Sequence, residues 1–258
     1  MTAKTVAEEA LPRTRLFVTG SLAEGGVVGL SPDQAHYLRH VLRLEPGARV
    51  ALFNGHDGEW TGRIEGFGKG RASVAIEARR RPQKGEPDLW LLFAPIKHGR
   101  IDYLVQKAAE LGCARIQPVM TDFTQVARVN TGRLAANAIE AAEQTGRLTV
   151  PEVAEPCRLM DALAGWDPAR RIMLCDESGR GRPVFEALGA VKRGGPWAAL
   201  IGPEGGFSEA ELDALGKLAF VIPVSLGPRL LRADTAAVAA LACWQAVMGD
   251  WPDHTPGR

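Results

Sequence analysis

Two glycine-rich turns near the C-terminal end of the chain constrain its fold more than any other feature of the sequence. They occupy residues 200–208 (LIGPEGGFS) and 224–236 (VSLGPRLLRADTA). Each follows an apolar run that predicts a buried strand, at 197–201 and 220–224, and each leads into a predicted helix. Strand, glycine turn and helix in succession expose backbone amides at the carboxyl edge of an α/β sheet. We therefore expect a ligand at that edge.

The helices after these turns have predicted N-terminal caps. Ser208 and Glu211 form a capping-box pattern for a helix that continues to residue 219. Asp234 is well placed to cap a long apolar helix that ends near residue 248.

The N-terminal part of the chain predicts a small β-rich domain over residues 13–80. A helix starts at Ser31-Pro32, and three strand-like runs with glycine-rich turns follow it between residues 48 and 78. One apolar face of the helix is expected to hold four residues: Tyr37, Leu38, Val41 and Leu42.

A second domain is predicted over residues 89–249, after a polar, proline-containing linker at 81–88. Strand-like and helix-like runs alternate along it, beginning with a buried strand at 89–95 and a helix at 101–111. This alternation predicts the α/β class with a mainly parallel sheet.

The charge, the cysteines and the apolar runs of the chain limit the kind of protein that it can be. The formal net charge of +1 neither indicates nor excludes a nucleic-acid partner, so an RNA-binding surface requires local clustering of Lys and Arg. The four cysteines are scattered without a C-x-x-C pair, which indicates a reduced cytoplasmic protein. No apolar run is long enough for a membrane span, and an N-terminus with Glu8 and Glu9 is not typical of a signal peptide.

Two motifs outside the glycine turns have competing interpretations. The sequence GFGKG at 66–70 resembles part of a nucleotide loop, but it lies between two strand-like runs, which favours a hairpin turn. His36 and His40 are four residues apart on a helix and could bind a metal, but no third ligand is evident nearby. A phosphate-binding surface formed by Arg39, His40 and Arg43 competes with a purely structural helix, and we expect no metal.

The residues of the glycine turns indicate the kind of ligand. Neither turn contains a lysine, and the first contains Glu204. This disfavours a polyphosphate and favours a ligand with an adenine, a ribose and a positive centre, since a carboxylate is compatible with a sulfonium or an ammonium.

Both turns resemble the signature blocks of the RsmE-type 16S ribosomal RNA uridine-N3 methyltransferases, within the SPOUT superfamily. Four further blocks agree with this family in colinear order: HVLRLEPG at 40–47, LFNG at 52–55, QKAAELG at 106–112 and EAAEQTGR at 140–147. The chain departs from the family pattern at Ala233 and Asp234, where Thr and Glu are common. It also departs at Leu230, commonly Ile, and at 121–124 (TDFT), which replaces a stretch that usually carries Glu-Arg-Ser.

The resemblance implies a C-terminal SPOUT α/β domain with a trefoil knot and a small N-terminal PUA-like β-barrel domain. It implies a homodimer through the knot domain, S-adenosyl-L-methionine as cofactor, and methylation of one uridine N3 in the 16S rRNA of the small ribosomal subunit. The cofactor-binding residues that it implies are Leu200, Gly202, Pro203, Glu204, Gly205, Gly206, Leu226, Gly227, Leu230 and Leu231.

The chemistry of uracil suggests catalytic residues among these blocks. Uracil N3 is a poor nucleophile until it loses its proton, so a base or a cation near it assists. We expect Arg232 to stabilise charge on the uracil carbonyls, the alternative being a structural pair with Asp234, and Glu204 is a candidate base. In the N-terminal domain the expected RNA-binding residues are Arg15, Arg39, His40, Arg43 and Lys69.

Two alternatives to this function stay open. One is an enzyme of the same superfamily that acts on a different RNA position, and the N-terminal blocks argue against it. The other is a catalytically idle ribosome-assembly protein that keeps the fold, which the intact glycine turns disfavour.

Overall fold

The computed structural model describes residues 12–68, 70–97 and 99–253, and the chain divides into two compact units, 1–84 and 85–258. Among the helices of the described part, none has the length and apolarity that a membrane crossing requires.

The first unit is built on a five-stranded sheet. Its strands are β1 (Arg15–Phe17), β2 (Val27–Leu30), β3 (Arg49–Phe53), β4 (Glu59–Gly68) and β5 (Arg71–Arg81). They lie in the order β1-β3-β4-β5-β2, with β1 parallel to β3 and the other neighbours antiparallel. Gly68 pairs with Arg71 in the β4–β5 hairpin, which confirms the hairpin interpretation of residues 66–70.

Helix α1 (Pro32–His36) begins as the sequence predicts, because the Ser31 hydroxyl accepts from the Gln34 amide in a capping box. The predicted apolar face of the helix is wrong in part. From Tyr37 to Val41 the helix widens to π geometry, and the Leu42 amide donates to the Tyr37 carbonyl. The wider turn rotates the side chains, so Leu38 is buried whereas Tyr37 and Val41 are 43% and 59% exposed.

A buried carboxylate binds three arginines in this unit. Glu59 is 1% exposed, and its oxygens lie 2.7 Å from Arg15 Nε, 2.9 Å from Arg80 Nη1 and 2.7 Å from Arg81 Nη2. Burial alone would raise the pKa of the Glu59 carboxyl, but the hydrogen bonds from Arg81 and Arg15 outweigh burial and hold that pKa below its ordinary value. The cluster connects β1 to the C-terminal end of β5.

The second unit is an α/β sandwich around an eight-stranded sheet. Its strands are β6 (Leu89–Phe93), β7 (Arg115–Met120), β8 (Glu152–Val153), β9 (Cys157–Arg158), β10 (Arg171–Cys175), β11 (Arg182–Pro183), β12 (Trp197–Ile201) and β13 (Val221–Ser225). The order is β11-β13-β10-β12-β6-β7-β8, with β9 also paired to β7. Every one of these pairings is parallel, which confirms the predicted parallel sheet.

Helices cover both faces of this sheet. They are α2 (Arg100–Glu110), α3 (Thr131–Thr145), α4 (Leu159–Ala164), α5 (Val184–Gly189), α6 (Glu209–Gly216) and α7 (Ala233–Val247), followed by a 3-10 turn at Trp251–Asp253. Because side chains alternate along a strand, Leu91 and Ala199 pack on the face covered by α2, α3, α5 and α7. Leu92 and Leu200 pack on the opposite face, under α4 and α6.

The strand register places four loop-bearing strand ends side by side. Phe93 pairs with Ile201, Ile201 with Cys175, and Cys175 with Val224. Because these strands are parallel, the loops after β6, β10, β12 and β13 leave the sheet at the same edge.

The buried glutamate generates a stability prediction. Glu59→Gln is expected to destabilise the first unit by about 3 kcal/mol at neutral pH, because three arginines lose their counter-charge inside the fold. The pKa of Glu59 in the folded protein lies below its value of about 4.3 in the unfolded chain. The stability that ionised Glu59 contributes is therefore fully present above about pH 4.3 and is lost as the pH falls through the pKa of the folded state. Native-state hydrogen exchange of the β4 amides measures this difference in stability between the wild type and Glu59→Gln.

Glu77→Gln is the matched control. Glu77 also binds two arginines, Arg49 at 2.8 Å and Arg63 at 2.7 Å, but those side chains are 38% and 57% exposed. Its loss is expected to cost less than about 1 kcal/mol, because solvent screens surface ion pairs. Equal losses in the two variants would show that burial of the Glu59 cluster is not what stabilises the unit.

Candidate active site

A cleft of about 990 Å³ opens at the carboxyl edge of the second sheet. Three loops form its walls: the loop after β10 with Cys175, Asp176, Glu177 and Gly179, the turn after β12, and the turn after β13. Its volume is at the upper end of the range for small-molecule sites, about 300–1,000 Å³. The cleft therefore has room for a ligand as large as a nucleoside with an extended substituent.

Most of the predicted cofactor residues line this cleft. They are Gly202, Pro203, Glu204, Gly206, Leu226, Gly227, Leu230 and Leu231, and the predicted catalytic Arg232 lines it too. Leu200 does not, since it is fully buried in β12, and Gly205 lies beside Phe123 instead. Sequence reasoning missed Phe207 and Gly179, which also line the cleft. Phe207 lies within the first glycine turn, whereas nothing in the local sequence distinguishes Gly179.

The loop that follows β7 forms hydrogen bonds with residues at the end of the first glycine turn. Ser208 and Glu211 form the predicted capping box of α6, and Glu211 also accepts a hydrogen bond of 3.0 Å from the Asp122 amide. The Ser208 hydroxyl donates to the Asp122 carboxylate at 2.6 Å. Asp122 thus connects the loop after β7 to the end of the first glycine turn.

Gly202 and Phe207 explain the tight course of the same turn. A Cβ atom at Gly202 would lie 2.8 Å from Phe207 Cε2, too close for any side chain unless the ring moves. The absence of a side chain at Gly202 lets the Phe207 ring pack across the turn at the wall of the cleft.

The predicted cap of α7 by Asp234 is wrong. The helix begins at Ala233 with Arg232 at the N-cap position, so Asp234 lies inside the first turn and its Oδ1 accepts from the Thr235 amide at 2.9 Å. Its Oδ2 lies 3.6 Å from Arg100 Nη1 on α2. The ion pair of Asp234 is therefore formed with Arg100, and within the described residues no hydrogen bond or ion pair of the Arg232 side chain is present.

The charges in the cleft are mixed. Within the described residues its charged lining consists of Asp176, Glu177, Glu204, Arg229 and Arg232, with no lysine. Burial, followed by the neighbouring Cys243, raises the pKa of the Cys175 thiol to about 12, so this thiol is protonated at neutral pH and does not act as a thiolate nucleophile. Carboxylates, apolar walls and the lack of lysine fit an adenosine ligand with a cationic centre better than a polyphosphate.

A smaller cleft of about 400 Å³ lies along the same edge. Pro95, Lys97 and Arg100 come from the chain after β6, Gln125 and Val126 from the chain after β7, and Glu204 and Arg232 complete it. Glu204 and Arg232 thus line both clefts. Sequence reasoning missed Lys97, Arg100 and Gln125, although two basic residues soon after a predicted strand end are a signal for such a site.

The predicted RNA-binding residues of the first unit have different environments. Arg39, His40 and Arg43 are exposed, with the Arg39 guanidinium 5.8 Å from the Phe67 ring centre. Arg15 is bound to Glu59, and its side chain is 11% exposed. Lys69 lies outside the described residues. The rings of His36 and His40 are 4.9 Å apart, and no group of three or more metal-binding side chains occurs in the part of the chain that the structure describes.

Known proteins resemble the chain along most of its length. Residues 84–245 match the family described as RNA methyltransferase domain, and residues 30–77 match RNA methyltransferase PUA domain. The ribosomal RNA small subunit methyltransferase E of Rickettsia conorii is 32% identical over 230 residues, which cover 88% of this chain and 93% of the relative.

Two solved structures are similar to the whole fold. Ribosomal RNA small subunit methyltransferase E of Neisseria gonorrhoeae, bound to S-adenosyl methionine, has a TM-score of 0.83 at 29% identity, over 92% of this chain and 99% of that one. A Legionella pneumophila protein in complex with the same cofactor has a TM-score of 0.79 at 32% identity, over 92% and 98% of the two chains.

Proposed function

The chain belongs to the family of the ribosomal RNA small subunit methyltransferases E, and on this basis we propose that it methylates N3 of one uridine in the 16S rRNA of the small ribosomal subunit. The observation that carries the proposal is that the two signature turns of the family form the walls of the larger cleft. Two alternatives remain: a superfamily member that acts on another RNA position, and an idle assembly protein with this fold. The methylation experiment below distinguishes both from the proposed function.

S-adenosyl-L-methionine is the proposed occupant of the larger cleft. We assign its binding to the predicted residues of the two turns, and the mixed polar and apolar walls described above fit it. When bound, it supplies a methyl group on a sulfonium centre for transfer to the uracil nitrogen. Leu200 and Gly205 contribute to this site through the positions of β12 and of the first turn, since neither lines the cleft.

Arg232 and Glu204 are the proposed catalytic residues, because both lie where the two clefts meet. The Arg232 guanidinium stabilises the negative charge that the uracil carbonyls acquire when N3 loses its proton. Glu204 is the candidate acceptor for that proton. Since Asp234 pairs with Arg100, Arg232 is left available for the substrate.

The domain roles follow the same family relationship. We propose that residues 13–80 form a PUA-like barrel that binds the rRNA, that 81–88 are a linker, and that 89–249 form a knotted SPOUT domain that dimerises. Arg81, the first residue of this linker, is also the last residue of β5 and binds Glu59. Arg39 and His40 are exposed on the π-helical turn Tyr37–Val41 and Arg43 is exposed just after it, so these three are the proposed phosphate contacts. Lys69 and, with a partly structural role, Arg15 complete the set. We also propose that the protein acts in the cytoplasm, where a ribosomal substrate is available.

Methylation of purified subunits tests the function. The protein is incubated with labelled S-adenosylmethionine and small ribosomal subunits from cells that lack its gene, and the nucleosides of the 16S rRNA are mapped by mass. One 3-methyluridine is the expected product. A methyl group on another nucleoside would replace the substrate assignment, and cofactor binding without transfer would favour the idle assembly protein.

The cofactor site is tested with glycine variants. Gly202→Val displaces the Phe207 ring, and Gly227→Val places a β-branched residue at φ 110°. Both variants are expected to lose S-adenosylmethionine binding in calorimetry while circular dichroism still reports a folded protein. Gly216→Val is the control, because a Cβ at Gly216 meets nothing within 4 Å. Unchanged affinity in both test variants would refute the assignment.

Arg232→Ala is expected to slow single-turnover methylation about a hundredfold or more, the effect of losing one preorganised donor. Cofactor affinity should hardly change, and raising the pH should partly rescue the variant because more of the uracil is then deprotonated. Arg229→Ala is the control: Arg229 lines only the larger cleft, so a far smaller loss is expected. An Arg232→Ala protein that melts early yet methylates normally when cold would assign Arg232 a structural role.

A further inference from the structure

The smaller cleft differs in charge from the larger one. Three cations, Lys97, Arg100 and Arg232, line it together with a single carboxylate, Glu204. Asp234 also faces Arg100 at 3.6 Å, from the first turn of α7. The balance favours an anionic ligand, whereas the charged lining of the larger cleft, within the described residues, is three carboxylates and two arginines.

The position of the smaller cleft follows from the strand order. Strand β6 lies between β7 and β12, and Phe93 pairs with both Pro118 and Ile201. The chains that follow these three strands therefore meet above β6, and each contributes to the cleft. The volume of about 400 Å³ suits a single nucleotide rather than a long polymer segment.

The shared wall indicates which molecule this is. Because Glu204 and Arg232 line both clefts, ligands in the two clefts meet at these two residues. Transfer of a group between two bound molecules needs such an arrangement. Resting on the proposed function, we infer that the smaller cleft binds the target nucleotide, with its phosphate at Lys97 and Arg100 and its uracil edge at Gln125 and Arg232.

The residue types suit these two roles. Lys97 is exposed and Arg100 is half-exposed, so both reach a phosphate in solvent, and charge-assisted bonds to phosphate are strong. Gln125 is neutral and exposed, and its amide offers one acceptor and two donor hydrogens. An amide that presents its NH2 group to the O4 carbonyl of uracil is mismatched to the N4 amino group of cytosine, so selection of uracil requires that the Gln125 amide does not turn over when the base binds. Lys97 and Arg100 thus supply affinity, and Gln125 is the candidate for base selection.

The phosphate contacts are tested with Lys97→Ala, with the Lys97→Ala/Arg100→Ala double variant, and with Lys217→Ala as control. Lys217 follows α6 and precedes β13, at the opposite edge of the sheet. In methylation of small subunits, the double variant should raise KM about tenfold or more, as expected for two lost phosphate contacts, with kcat within about twofold and a weaker salt dependence. Lys97→Ala alone, which leaves the Arg100–Asp234 pair intact, should raise KM by a smaller factor. Lys217→Ala should match the wild type.

A binding measurement that needs no activity separates this inference from the proposed function. Uridine monophosphate at millimolar concentration is titrated against the protein with S-adenosylhomocysteine, and broadening of its proton and phosphorus resonances is recorded. Broadening is expected with wild type and Lys217→Ala and not with the double variant. Wild type should broaden uridine monophosphate more than cytidine monophosphate, and Gln125→Ala should abolish that preference.

The outcomes that overturn the inference are distinct. An active wild type with unchanged KM in the double variant, or no broadening of uridine monophosphate by wild type, removes the nucleotide from this cleft while the methyltransferase function stands. A drop in S-adenosylmethionine affinity in the double variant, with unchanged KM for subunits, would show that the cations hold the carboxylate of the cofactor. A wild type that broadens uridine monophosphate but transfers no methyl group would refute the function and leave the nucleotide site in place.

Discussion

The parallel pairing of four apolar strands is the constraint on which the functional part of the structure depends. Strands β6, β10, β12 and β13 lie between layers of helices, and their backbone groups pair with one another and with the neighbouring strands β7 and β11. This pairing aligns Phe93, Ile201, Cys175 and Val224, the positions at which the chain leaves the sheet. Both clefts are formed by the loops that begin there, so a one-residue slip of β12 would displace their shared wall.

Hydrogen bonds and an ion pair between segments that are far apart in the sequence connect the elements that the sheet brings together. Asp122 and Glu211 connect the chain after β7 to the first glycine turn, and Arg100 connects the start of α2 to Asp234 on α7. Neither contact lies within a single helix or strand. Together they connect the segments that carry Glu204 and Arg232, the two residues that line both clefts.

The first unit depends on a buried ion-pair cluster centred on Glu59. Its strands enclose a small apolar core, and the buried Glu59 carboxylate binds Arg15 from β1 and Arg80 and Arg81 from the end of β5. Such a cluster stabilises a small unit only while every charge in it is paired. The use of Arg15 in this cluster also shows why a basic residue in a β-rich domain is not by itself an indication of RNA contact.

The sequence by itself determined the features that depend on neighbours along the chain. Apolar runs, glycine turns and the Ser31 and Ser208 capping patterns are local, so the α/β order, the two signature turns and the helix starts after both serines were predicted correctly. Only the tertiary structure decided which partners Asp122, Asp234 and Arg15 have, and that Lys97 and Gln125 share a cleft with Arg232. The physical reason is that these contacts join loops whose proximity depends on strand order, and local patterns carry no information about which strands become neighbours.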